Sequence, residues 1–473
     1  MQIKSYFTGS AYRFNLIIYL IGLSLIVPII FVLNITQFKL NAIVLTIGIP
    51  FISIFLFDFN SFKYLFIVSL FTNFFLFGLY FCVFMALSLI ISFILINGKI
   101  NFEIFDTPLT RPIIFYYITI IPSLINSSNI ILSFYLQLNL LAIIILFLIF
   151  GFTLTKYEQI KKILMVFFLL VAIDSMVIIY LGLTKGGREF GFSGVVFVDY
   201  SVMVIISLLV ISIFKRGKSL FPYLGLAVLV FAGLIFTQTR NTFISLALAS
   251  LTIVIYLIFN RKGLNISAKR IISTFSVIII LVLLVVVLLS LFSPSTFERF
   301  DELKQESAVT VRSESDLYKN SLMTRLLIWD TAINAFKHHP IIGIGVYSFP
   351  FESAQYYTIS KELFKDYVKG LSPHITYLAV LTETGILGFI GFIIFLISSI
   401  RLGIKSLNLA STEQQKFYSL LILSLNIYIF YSMFLSDAWL WGQCGMLWGM
   451  ILGMSIANYK IIKNSKVDAD IGK

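Results

Sequence analysis

Residues 270–292 read RIISTFSVIIILVLLVVVLLSLF. After Arg270 the run carries no charged residue. As a helix it extends about 33 Å at 1.5 Å per residue, against a hydrocarbon core of about 30 Å. Runs of the same character recur near 15–34, 40–57, 131–153, 163–183, 196–214, 220–238, 241–259, 376–400, 416–435 and 438–458, with a shorter candidate at 112–126. The stretch 64–97 would be about 50 Å long as one helix, so it is either two short spans or one long, tilted helix. Composition agrees with this pattern. The chain of 473 residues is 59% hydrophobic and only 12% charged, where a soluble domain carries about 25% charged residues. A soluble multidomain protein is excluded. The fold class is an all-α integral membrane protein of about twelve transmembrane helices, with fourteen also compatible, and one large outward loop containing short helices.

The formal net charge of +13 does not point to nucleic acid, because Lys and Arg concentrate in the short linkers between apolar runs, as topology signals do. FKRGKS (214–219), NRKGLNISAKR (260–270), KYEQIKK (156–162), the linker from Arg401 to Lys416 and the tail from Lys460 all carry this enrichment. Alternation across the intervening spans puts every one of them on one side, which is therefore cytoplasmic. Lys4 and Arg13 put the N-terminus inside as well, so the number of spans is expected to be even. The opening MQIKSYFTGSAYRF leads into an apolar run too long for a signal peptide and reads as an uncleaved first span. Cys82 and Cys444 both lie within apolar runs, which offers neither a disulfide nor a thiolate cluster. The organisation expected is a transmembrane bundle over 1–292, a large extracytoplasmic loop over 293–374, and C-terminal transmembrane helices with a cytoplasmic tail over 375–473.

A connection of that length is usually functional. Within it STFERFDELKQ (295–305) and LMTRLLIWDTAINAFKHH (322–339) read as amphipathic helices. The second has a stripe of Leu326, Leu327, Ala332, Ile333 and Phe336, and Pro340 with the Gly343/Gly345 pair ends it in a tight turn.

Four residues could carry chemistry on the outward side. Arg240, in GLIFTQTRNTFISL, stands at the junction of two apolar runs where the positive-inside rule disfavours it. It either snorkels to the outer headgroups or lines an anion site facing an outward cavity, and the second reading is preferred. Arg188, in TKGGREFGFSG, lies in a glycine-rich turn open to close approach by a ligand, or is an ordinary exposed loop arginine. Arg325 opens the second amphipathic helix and could equally form a surface ion pair with Asp330. His374 ends the outer loop at the start of a span. Its imidazole suits proton transfer at neutral pH, although a histidine there can also be a cap or a packing residue. His338 and His339 are adjacent and read as solvated, and no zinc pattern surrounds them. There is no Walker loop, no nucleotide fingerprint and no Asp-X-Asp pair. Several arginines and one base on the outside suit a lipid-linked diphosphate, because the guanidinium fork binds phosphate oxygens bidentately and fixed cations can neutralise a diphosphate leaving group.

Three blocks of sequence carry a resemblance. The run R-x3-W-x2-A-x3-F-x2-HP-I-x-GIG-x2-SF, Arg325 through Phe349, is similar to the motif of the bacterial O-antigen ligase/polymerase family. H-x2-YL-x2-L-x-E-x-G-x2-G, His374 through Gly388, matches its next motif, and TQTRNT around Arg240 resembles its T-x-S/T-R motif. Many members have Asn after the motif histidine, where this chain has Ile375. The resemblance implies an inverting glycosyltransferase without metal or other cofactor, in the bacterial inner membrane with its active site on the outer face. It would use undecaprenyl diphosphate-linked glycans, with a chain-length regulator and a flippase as companions. It also implies that Arg240 and Arg325 bind the donor diphosphate, that Arg188 adds a further cation, and that His374 is the general base. Glu383 lies half a helical turn away from His374 and reads as structural.

The expected activity is polymerisation of a surface polysaccharide such as O-antigen, by transfer of the lipid-linked glycan onto the next lipid-linked repeat. Ligation of the finished glycan to a lipopolysaccharide core shares the donor and the base. A flippase of a lipid-linked oligosaccharide is a different class. It would place polar sites at mid-membrane, often within internal repeats, whereas apart from Asp174 the spans are nearly free of acids and no duplication is visible.

Overall fold

A helix that is apolar on every face belongs in the middle of a bundle, and residues 197–214 are of that kind. The computed structural model describes residues 106–185, 188–215, 217–292 and 321–471, apart from 438 and 440–441, with a few positions between 63 and 71. The predicted spans at 15–34 and 40–57, most of 64–97, and the helix at 295–305 lie outside the described residues. The chain divides into units Met1–Glu103 and Ile104–Lys473, and the elements below all belong to the second.

In chain order these are α1 (Thr110–Ile120), α2 (Ile130–Thr153), α3 (Tyr157–Lys185), α4 (Phe197–Phe214), α5 (Phe221–Phe236), α6 (Arg240–Leu264), α7 (Ala268–Phe292), α8 (Ser321–His338), α9 (Phe349–Glu352), α10 (Lys361–Tyr367), α11 (Thr376–Leu409), α12 (Glu413–Ser432) and α13 (Gly442–Ile471). The described residues contain short 3₁₀ turns besides these and no strand. Five of the described helices are long and apolar enough to cross a membrane: Tyr157–Lys185, Gly194–Phe214, Gly217–Phe236, Asn241–Leu264 and Thr376–Leu409. The described part of the chain is thus all-helical, with several helices able to cross a membrane. Helices also occupy the expected spans at 131–153 and 270–292, that at 416–435 as far as Ser432, and that at 438–458 from Gly442 onward.

Helix α4 is buried along nearly its whole length and packs against α3, α5, α6, α7 and α12. Lipid gives helices little hydrophobic reason to associate, so close backbone approach over small residues matters. The α2–α13 contact uses Gly151, Gly449 and Gly453; a β-carbon on Gly453 would stand 2.4 Å from Cβ of Phe150.

The basic linkers gather at one end of the bundle. The Arg270 guanidinium donates to the Lys215 carbonyl at 3.1 Å, and the Lys416 ammonium donates to the Gly263 carbonyl at 2.8 Å. Local sequence sets these helix ends. Thr412 and Gln415 form a capping box at the start of α12, and Asn265 closes α6 in the left-handed conformation after Arg261 and Lys262.

Two expectations need correction. The buried face of α8 is Ile328, Thr331, Ala332 and Ala335, whereas Leu326 and Ile333 are exposed. The small residues let α8 approach α11 closely, where the Thr382 hydroxyl donates to the Ala332 carbonyl at 3.1 Å, and that rotates the larger side chains outward. His339 is half-buried, with its ring edge-on to Tyr356, while His338 is exposed.

Candidate active site

Helix α11 is broken. Gly385 has φ 64° and ψ −170° inside it, and the segment 340–348 that follows α8 fills the gap. Backbone groups freed by the break pair across it, as buried peptide groups must. The amides of Ile344 and Gly345 donate to the carbonyls of Thr382 (3.2 Å) and Glu383 (2.9 Å), and those of Ile386 and Leu387 donate to Pro340 (2.9 Å) and Ile341 (3.2 Å). The two chains touch through glycine on both sides. A β-carbon on Gly343, at φ +70°, would meet the Glu383 carbonyl at 2.4 Å, and one on Gly385 would meet that of Ile341 at 2.4 Å. The Glu383 carboxylate accepts from the amides of Tyr347 (2.7 Å) and Phe349 (3.4 Å). Asn126 holds the other side of the turn by donating to the Gly343 carbonyl at 2.8 Å. Glu383 is therefore a structural clamp on the segment after α8.

This interlock sets α8 alongside the first part of α11, so Arg325 and His374 start from the same end of the bundle. The Trp329 indole donates to the Pro373 carbonyl at 2.9 Å, one residue before His374. With the Asn241 amide oriented so that its oxygen faces the guanidinium, that oxygen accepts from both terminal nitrogens of Arg325 at 2.6 and 2.7 Å. Arg325 thus reaches the residue next to Arg240. Asp330 accepts from the Thr358 hydroxyl.

Arg240 is the first residue of α6; its side chain lies outside the described atoms. A cation in the first turn has the wrong sign for the helix dipole, and an anion held there by the free amides would reverse that penalty. Arg188 comes to the same junction from the α3–α4 loop. Its Nε donates to the Thr237 carbonyl at 3.2 Å and its guanidinium lies 4.7 Å from the Phe190 ring centroid. Asp174 shapes that loop by accepting from the amides of Phe192 (2.6 Å) and Ser193 (3.1 Å) and from the Ser193 hydroxyl.

His374 is half-buried. Its amide donates to Asp437 Oδ2 at 3.3 Å, and its Nδ1 stands 3.4 Å from the Ser372 hydroxyl, a long contact. Burial lowers the imidazole's pKa from its ordinary 6.5; the Asp437 charge opposes that shift and the Arg325 charge adds to it. The ring is accordingly neutral at pH 7 and able to accept a proton. Burial also raises the pKa of the Tyr347 phenol, with the charges of Glu383 and Asp437 adding to it.

Strain marks the same place. Among the described residues the non-glycine positions with positive φ are Gln238 (49°), Tyr347 (57°), His374 (56°) and Asn265 (58°). Asn265 is a helix cap at the far end; the other three border this site. Such conformations cost on the order of 1–3 kcal/mol each and collect where function demands them.

The structure thus brings Arg188, the start of α6 at Arg240, Arg325 and His374 to one end of the bundle, opposite the basic linkers. Sequence reasoning missed Asn241, Asp437 and the acid Asp199 inside α4. Asp437 could have been found by the argument used for Arg240, as a charge in a short outward link between two apolar runs. Asp199 was hidden by the apolar residues around it.

Residues 225–393 match a family model described as O-antigen ligase. No curated protein matches the chain. The match shows the O-antigen ligase/polymerase family for the stretch from α5 through the break in α11, which holds Arg240, Arg325 and His374 and leaves Arg188 outside. The class of protein is thus a multi-pass membrane protein with a domain of the glycan ligase or polymerase type.

Proposed function

We propose that this protein is a surface polysaccharide polymerase. It transfers a glycan from a polyprenyl diphosphate such as undecaprenyl diphosphate to a sugar hydroxyl of a lipid-linked acceptor repeat, with inversion at the anomeric carbon. The observation that carries this reading is the meeting of three arginine-bearing segments with a neutral, half-buried imidazole at one end of the bundle. In the reaction the acceptor oxygen bonds to the anomeric carbon while the bond from that carbon to the phosphate oxygen breaks. The diphosphate leaves with the electron pair, and the acceptor hydroxyl's proton goes to the His374 imidazole. Arg240 and Arg325 hold the diphosphate, with Arg188 as a further cation, and stabilise the charge that grows on it. By the positive-inside rule, this end faces away from the cytoplasm, where lipid-linked repeats are delivered by a flippase and polymer length is set by a regulator. Ligation to a lipopolysaccharide core would use the same residues and differs only in the acceptor. The polymerase reading is preferred because polymerases are the more numerous and divergent users of the motif order.

Gel analysis of surface glycan in a deletion strain tests the choice. Single repeats in place of a ladder are expected. Full-length polymer left unattached would establish a ligase, and an unchanged ladder would remove both.

A further inference from the structure

The carboxyl group of Asp199 is buried in the first turn of α4, and the reaction just proposed makes no use of it. A buried carboxyl group is costly unless hydrogen bonds satisfy it. Its Oδ1 accepts from the Tyr428 hydroxyl at 2.6 Å and from the Ser432 hydroxyl at 2.8 Å. The Ser432 oxygen in turn accepts from the Trp439 indole at 2.8 Å, and the Cys444 thiol lies 4.0 Å from Oδ2. Ser432 closes α12, and Trp439 stands just before α13. The near foot of the turn between those helices therefore rests on the carboxyl group, and the far foot, Trp439, joins it through the Ser432 hydroxyl. Between the feet, the turn holds the segment that bears the imidazole. The carbonyls of Met433 (2.9 Å) and Ser436 (3.1 Å) accept from the Thr376 amide, the Ser436 carbonyl also accepts from the Thr376 hydroxyl at 2.6 Å, and Asp437 accepts from the His374 amide. His374 sits at φ +56°, a conformation that a non-glycine residue keeps only when its surroundings impose it.

We propose that Asp199 is a positioning residue for His374, fixing the turn 433–437 from within the bundle and through it the backbone of residues 374–376. The inference rests on His374 being the base of the proposed transfer. A carboxyl group that only filled space could be replaced by an apolar residue of similar volume with little loss, and often with a gain in stability.

The test uses the full chain in proteoliposomes with a lipid-linked oligosaccharide donor, with rates taken per mole of folded protein. Asp199→Leu removes the acceptors and is expected to lower kcat about tenfold or more, since small displacements of a reacting group are that costly, while the donor KM stays within about twofold. Asp199→Asn keeps an acceptor oxygen and should remain within about threefold of wild type. The chain has three histidines, so the His374 ring can be followed by NMR titration. Its midpoint should move in Asp199→Leu and stay in place in Asp199→Asn. The charges facing the ring, Asp437 from the α12–α13 turn and Arg325 from α8, are intact in both variants, so a moved midpoint reports moved geometry. Unchanged kcat and titration in Asp199→Leu would overturn the proposal, whatever happens to its melting temperature. Should that variant fail to insert, Ser432→Ala decides: it removes the hydroxyl that ties Asp199 to the turn and accepts from Trp439, and a kcat and titration identical to wild type would overturn the proposal equally. Full activity in His374→Ala would instead remove the functional reading, while the titration would still decide whether Asp199 holds His374 in place.

Discussion

His374 stands between a carboxylate and a guanidinium that pull its titration in opposite directions. A general base works only when deprotonated, so the rate should fall as pH drops through the pKa of the imidazole. Burial and Arg325 depress that pKa in the substrate-free protein, which puts the acid limb of kcat/KM below pH 6.5. Asp437→Asn removes the charge that favours the imidazolium and should move the limb still lower. Arg325→Met removes the opposing charge and should move it up, besides weakening donor binding. A pH–rate profile of each variant checks both signs, and a limb unmoved in either would separate the titration from His374. His374→Ala should lose about 10²–10⁴-fold in rate, the usual worth of a general base, with the protein still inserted. Arg240→Lys should lose about tenfold or more, because a point charge cannot reproduce the guanidinium fork on a diphosphate. Wild-type transfer in that variant would favour mere snorkelling.

The element that matters most is the broken helix α11. Continuous helix through residue 385 would leave the turn after α8 without partners for its amides at 344 and 345 and its carbonyls at 340 and 341. The break supplies those partners, and glycine on each side brings the backbones close enough to use them. Alanine at Gly385 would face both a backbone conformation that is essentially glycine's alone, at about 1–3 kcal/mol, and an overpacked contact, at about 1–3 kcal/mol. Gly385→Ala should therefore lower the thermal stability of the purified protein and loosen Arg325 from Asn241, with loss of transfer. An unchanged melting curve would mean that the interlock yields easily. The motif pairing of GIG with E-x-G has its physical reason here, because the glycines make the contact and Glu383 closes it on the amide of Tyr347.

Across the unit Ile104–Lys473, the site and the described basic linkers occupy opposite ends. In right-side-out vesicles, a cysteine replacing the exposed Lys369 should react with a membrane-impermeant maleimide, and one replacing the exposed Lys262 should not. Reversed labelling would place the site inside and end the proposal of an outward polymerase. The background is quiet at Cys444, which is buried. Much of this arrangement is readable in the chain, since apolar length gives helices and the clusters of Lys and Arg mark one end of them. The α8 stripe holds at Ala332 and Leu327 and fails at Leu326 and Ile333 for a specific reason. Its burial is decided by the small Ala332 meeting α11, and periodicity favours bulk over smallness when choosing a face.

Read alone, the chain yields the membrane class, the helical runs and the motif glycines. All of these follow from local hydropathy, charge and residue type, which act within a few turns of the chain. The folded arrangement adds that Arg325 reaches Asn241, that Asp437 accepts from the His374 amide, that Glu383 clamps the segment after α8, and that Asp199 bonds Ser432 at the end of α12. Each of those contacts joins positions between 34 and 233 residues apart in the chain. Hydrogen bonds of that kind form only once packing has removed water from around them, so no local pattern in the sequence announces them.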